Sequence, residues 1–63
     1  MYYDGEFRQD DKEGMGLLVL SNGEEYMGNF CGDMANGYGE YRRKDGTVVR
    51  GEWKNNKLAK LLF

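Results

Sequence analysis

Apolar residues fall in short runs, and no stretch of helical length repeats them at a spacing of about 3.6. Runs of about 5 to 7 residues rich in Tyr, Phe, Val and Leu are bounded by Asn-Gly, Asp-Gly and polar clusters, which is the signature of strands and tight turns. The pattern predicts six strands, at 1–7, 15–20, 24–30, 37–43, 47–54 and 58–63. Short turns join the second strand to the third and the fourth to the fifth, and 8–13, 31–36 and 55–57 form the other connections. The expected fold class is all-β, a single-layer antiparallel meander of repeated hairpins.

The same pattern repeats. Tyr3-Asp4-Gly5-Glu6-Phe7 recurs 23 residues on as Tyr26-Met27-Gly28-Asn29-Phe30, and again as Val49-Arg50-Gly51-Glu52-Trp53. Gly14-Met15-Gly16 maps onto Gly37-Tyr38-Gly39, and Asn22-Gly23 onto Asp45-Gly46, so that only Gly32 of the 10 glycines stands outside a repeated column. If Ser21-Asn22-Gly23 and Lys44-Asp45-Gly46 are three-residue loops with glycine in the left-handed region, the register follows. Leu18 then faces Tyr26, Gly16 faces Gly28 and Gly14 faces Phe30. In the second hairpin Tyr41 faces Val49, Gly39 faces Gly51 and Gly37 faces Trp53. Each repeat is expected to lay its large ring over the glycine directly across, Phe30 on Gly14 and Trp53 on Gly37. Gly5, Gly14, Gly16, Gly28, Gly37, Gly39 and Gly51 are therefore read as structural.

The columns Tyr-x-Gly-x-Phe/Trp, a short polar connection, Gly-x-Gly and an Asp/Asn-Gly turn resemble the MORN (membrane occupation and recognition nexus) repeat. The resemblance covers one domain, 1–63, as full repeats 3–25 and 26–48 and an incomplete repeat from 49. It implies an interaction module, of a kind attached to many different proteins. Val49 stands in the tyrosine column, and Lys60 and Leu62 stand where paired glycines belong. The last segment thus reads as a cap or edge strand, or as the place where a longer array was cut.

A body of 63 residues buries only about 60% of the surface its unfolded chain exposes, so a partner, a second copy or flanking sequence is expected to add stability. The chain holds no histidine, which removes the usual general base and the commonest metal ligand; its one serine, Ser21, lies in a turn. Gly14-Met15-Gly16 lacks the third glycine and the helix of a dinucleotide site. Asp10-Asp11 lacks the spacing of a calcium loop. No enzyme, cofactor, metal or small-molecule substrate is expected, and the pI near 5.0 argues against nucleic acid. One cysteine, Cys31, no glycosylation tripeptide and no secretory leader favour an intracellular place, cytoplasmic or peripheral to a membrane or the cytoskeleton.

Two surfaces remain as candidates. The first is a groove of rings, Tyr3, Phe7, Tyr26, Phe30, Tyr41 and Trp53, that would hold a protein partner or a second copy. The second is the basic set Arg42, Arg43, Lys44, Arg50 and Lys54, a candidate for anionic phospholipid. It belongs to a C-terminal part rich in Lys and Arg, whereas residues 1–41 are acidic. The net charge of -2 ranks the protein-interaction reading above the membrane one.

Overall fold

The computed structural model describes residues 1–62. Six strands lie in sequence order in one open sheet: β1 (Tyr2–Arg8), β2 (Asp11–Val19), β3 (Glu25–Cys31), β4 (Met34–Arg42), β5 (Val48–Lys54) and β6 (Lys57–Leu61). Every neighbouring pair is antiparallel. The expected meander is what forms. Phe63, the end of the sixth predicted strand, lies outside the described residues.

Both three-residue loops have the expected geometry. Leu20 N–H donates to Glu24 O at 2.8 Å, Gly23 N–H donates to Leu20 O at 2.9 Å, and Gly23 has φ 91°. Arg43, Thr47 and Gly46 repeat this arrangement, with 2.8 and 2.9 Å bonds and φ 91° at Gly46. Asn22 Oδ1 and Asp45 Oδ1 each accept the backbone N–H two residues on, at 2.9 and 2.8 Å, which pins the loops. The register is therefore the expected one, with Leu18 on Tyr26, Gly16 on Gly28 and Gly14 on Phe30, then Tyr41 on Val49, Gly39 on Gly51 and Gly37 on Trp53.

The other connections are much tighter than the sequence suggests. β2 starts at Asp11 and β4 at Met34, and the loops shrink to Gln9-Asp10, Gly32-Asp33 and Asn55-Asn56. All six loop residues have positive φ, from 50° to 73°, the twist that matches the right-handed coil of the flanking strands. These pairs recur at the 23-residue offset, so Gly32 has a place in the repeat after all. The strands gained in this way carry bulges, opposite Glu6 and again opposite Asn29, with Gly14 (φ 71°) and Gly37 (φ 97°) at the irregular positions.

Those bulges change which ring covers which glycine. At positive φ the Cβ direction is swung aside, and a side chain added at Gly14 would meet Glu6, and one at Gly37 would meet Asn29, rather than Phe30 or Trp53. The rings instead lean diagonally onto the next strand. Tyr3 lies over Gly16 and Tyr26 over Gly39, and their hydroxyls donate to Glu6 O and Asn29 O at 2.8 and 2.9 Å. Trp53 Nε1–H donates to Gly39 O at 3.0 Å.

Neighbouring repeats are fastened through the two-residue loops. Asp33 Oδ1 accepts Lys12 N–H at 3.1 Å while Asp33 N–H donates to Lys12 O at 3.1 Å. Asn56 does the same to Ala35, at 2.8 and 3.1 Å. Lys12 Nζ adds an ion pair to Asp33 at 3.0 Å. The Lys12 N–H and ammonium together hold the Asp33 carboxyl below its ordinary pKa.

Candidate binding groove

Alternation along the strands sends one set of side chains to each face of the sheet. On the ring face the six aromatic residues form one continuous line of contacts. Phe7 meets Tyr3 at 4.8 Å between centroids, Tyr3 meets Phe30 at 5.3 Å, and Phe30 meets Tyr26 at 5.1 Å. Tyr26 then meets Trp53 at 5.4 Å and Trp53 meets Tyr41 at 5.9 Å. All but the last are edge-to-face, the arrangement ring quadrupoles favour. This self-packing lets a single layer bury Tyr26 and Phe30 to 3% and 4% exposure, with Ala35 beside them and Tyr3, Leu18, Tyr41 and Trp53 partly covered.

Above this floor lies a groove of about 420 Å³. Four of the six expected ring residues line it: Tyr26, Phe30, Tyr41 and Trp53. Tyr3 packs beside it on Phe30, and Phe7 stands 60% exposed at the β1 edge, outside the lining. The lining also takes in Leu18, Leu20 and Ala35, with Lys12, Asp33 and Asn56 among its polar members. The sequence reading passed over these residues. Leu18 and Leu20 were visible as alternate positions of an apolar run, but Lys12, Asp33 and Asn56 reach the groove only because the short loops fold against the neighbouring repeat.

The basic candidates lie elsewhere. Arg42 faces Val48 and Glu25, and Arg50 faces Glu40 with Nε 3.3 Å from Oε2, both on the face opposite the rings. Lys54 ends β5 on the same side, Glu52 is paired with Lys60, and Arg43 and Lys44 belong to the second three-residue hairpin. Carboxylates thus alternate with the cations across the strands of this face.

Burial in the ring line pushes the Tyr26 hydroxyl up to about 12 from the ordinary 10.0. Burial also raises Tyr3, while Tyr41 is raised first by its 2.6 Å bond to the Glu24 carboxylate. Ionised tyrosinate is thus disfavoured in the folded chain where the unfolded chain already ionises. Stability should be full below about pH 10 and fall between about 10 and 12, the Tyr26 share being roughly 2 kcal/mol. Thermal melts across this window check it, with Tyr26→Phe expected to fall less steeply. A melting temperature that stays flat would contradict the burial.

Among the described residues no group of three His, Cys, Asp or Glu side chains is placed to hold a metal ion, and Cys31 is exposed. No helix of the described residues is long and apolar enough to cross a membrane. The family model for the MORN repeat matches residues 3–25, 26–48 and 50–58. The chain belongs to the MORN repeat family. The third match starts after Val49 and ends before Lys60, two positions that depart from the motif. Alsin of Rattus norvegicus is 33% identical over 62 residues, which cover 90% of this chain and 4% of its own length. Alsin of Homo sapiens matches with the same identity and coverage. The chain therefore spans about 4% of the length of these curated relatives. As a MORN array it is a repeat module of a non-catalytic type, consistent with a role in protein or membrane interaction.

Proposed function

We propose that this MORN array is a protein-interaction and assembly module whose ring-face groove takes an apolar segment of a partner, or of a second copy. The observation that carries this reading is the roughly 420 Å³ groove, floored by buried rings and edged by Leu18, Leu20, Lys12, Asp33 and Asn56. An apolar floor with a few polar groups at its margin suits a peptide that buries alternate or i, i+4 side chains. The groove needs no catalytic group to serve in this way.

The test is selection of displayed peptides on the chain, followed by affinity measurements on three proteins. Leu20→Glu, which places a charge in the groove wall, is expected to weaken the selected peptides about tenfold, since a desolvated charge opposes an apolar side chain by at least ~1.4 kcal/mol. Charge reversal of Arg42, Arg43 and Arg50 should leave peptide affinity unchanged. Vesicles of anionic phospholipid form the third arm, because interleaved carboxylates weaken the attraction of the opposite face for a negative surface. Failure to select any peptide, together with salt-sensitive vesicle binding lost on charge reversal, would replace the groove reading with the membrane one.

A further inference from the structure

The face of the sheet opposite the rings carries an apolar stripe along its inner strands. Alternation sets Met15, Leu17 and Val19 of β2 on this face beside Met27 of β3, and Leu17 stands directly across from Met27. Met15 and Met27 are 52% and 51% exposed, so half of each flexible thioether side chain faces solvent. Methionines placed in this way adapt to the shape of an apolar partner, and a contiguous exposed stripe marks an interaction surface.

Carboxylates border the stripe on both sides. In one row across the sheet Asp4, Leu17, Met27 and Glu40 follow one another, and in the next Val19 stands beside Glu25. Glu6 lies at the bulge, next to Gly14. Asp4, Glu6 and Glu25 take part in no ion pair among the described residues, and Arg8, beside Asp11, is the cation that β1–β3 carry on this face. The footprint is therefore apolar in the middle and negative along both margins.

β2 and β3 are inner strands with both backbone edges paired, so the stripe offers a ligand side chains and no strand edge. An extended peptide laid on it would desolvate its own N–H and C=O groups without return, whereas a helix arrives with them satisfied. Met15 to Val19 spans about 13 Å of strand, close to the ~12 Å between residues i and i+8 of a helix. We propose that this face docks a basic amphipathic helix of a partner protein. Its apolar residues at i, i+4 and i+8 lie along Met15, Leu17, Val19 and Met27, while Lys or Arg on its two flanks reach Asp4, Glu6, Glu25 and Glu40. Unlike charge orients the helix, and apolar contact holds it. The site is separate from the groove, which lies on the other face of the sheet.

The probe is a designed peptide of about 18 residues, long enough to form a helix, with leucine along one face and lysine on both flanks. It should bind the intact chain in a calorimetric titration, more weakly as salt is raised. A peptide with the same leucines and glutamate flanks should bind at least about tenfold more weakly, and so should a lysine peptide with a central proline, which breaks the helix. Met27→Lys, at a half-exposed position where the melting temperature should stay near the parent's, should weaken the lysine peptide about tenfold. Asp4→Asn combined with Glu25→Gln should weaken it too and flatten its salt dependence. Leu20→Glu, in the groove, should leave this affinity unchanged, so the two readings fail separately. The proposal is overturned by absence of binding at low salt, by equal binding of lysine-flanked and glutamate-flanked peptides, or by binding that Leu20→Glu removes and Met27→Lys does not. Self-association of the chain that Met27→Lys disperses would make a second copy the occupant and overturn it likewise.

Discussion

Gly39→Ala is expected to abolish cooperative folding. A methyl group at this position would fall inside the ring of Tyr26, which is 3% exposed, held edge-on by Phe30 and Trp53, and tied through its hydroxyl to Asn29 O. The ring has no free volume to enter, so overpacking of about 3 kcal/mol is added to the loss of its contacts. A chain of this size holds about 3 to 9 kcal/mol in all, at ~0.05–0.15 kcal/mol per residue. Gly28, directly across from Gly39, is as strict, because a methyl there would strike the facing backbone. Gly23→Ala is the control: its φ of 91° is unfavourable by about 1 kcal/mol, but the space around it is open. Urea melts that shift no further for Gly39→Ala than for Gly23→Ala would contradict this packing.

The second large effect divides one repeat column. Phe7, Phe30 and Trp53 are equivalent in sequence, yet Phe30 lies 4% exposed between Tyr3 and Tyr26 while Phe7 is 60% exposed with Tyr3 as its ring neighbour. Phe30→Ala should destabilise by about 3 kcal/mol through lost transfer energy and an unfilled cavity. Phe7→Ala should stay below about 1 kcal/mol because its ring is mostly in water already. Denaturant midpoints displaced equally in the two variants would show that the column is uniform and the groove floor is not a core.

The contrast shows what the sequence carries and what it leaves to the fold. The 23-residue offset and the Asn22-Gly23 and Asp45-Gly46 loops were enough to set register, and with it the face on which the rings gather, because one residue of slip would reverse every side chain. The two-residue loops were harder to see. Gln9-Asp10 gives no strong turn signal, and its left-handed geometry becomes evident only beside Gly32-Asp33 and Asn55-Asn56 at the same offset. The ring-on-glycine contacts expected of Phe30 with Gly14 and of Trp53 with Gly37 are instead made by Tyr3 over Gly16 and Tyr26 over Gly39, because the bulges at Gly14 and Gly37 redirect the chain. In the third repeat Val49 supplies no ring, and Leu58 and the Lys60 carbonyl approach Gly51 instead. The same register puts Arg42, Arg50 and Lys54 together on the face opposite the rings, as found, and the strand pairing adds the carboxylates beside them, Glu25 next to Arg42 and Glu40 next to Arg50.

Recognition through the ring face is tested most directly by backbone and indole chemical shifts of the isotope-labelled chain, followed as a selected peptide and then anionic vesicles are added. Saturable shifts at Leu18, Leu20, Ala35 and the Trp53 indole N–H are expected with the peptide, and little change is expected at Arg42, Arg50 and Lys54. Shifts gathered on those three cations, with the groove residues unmoved, would contradict it.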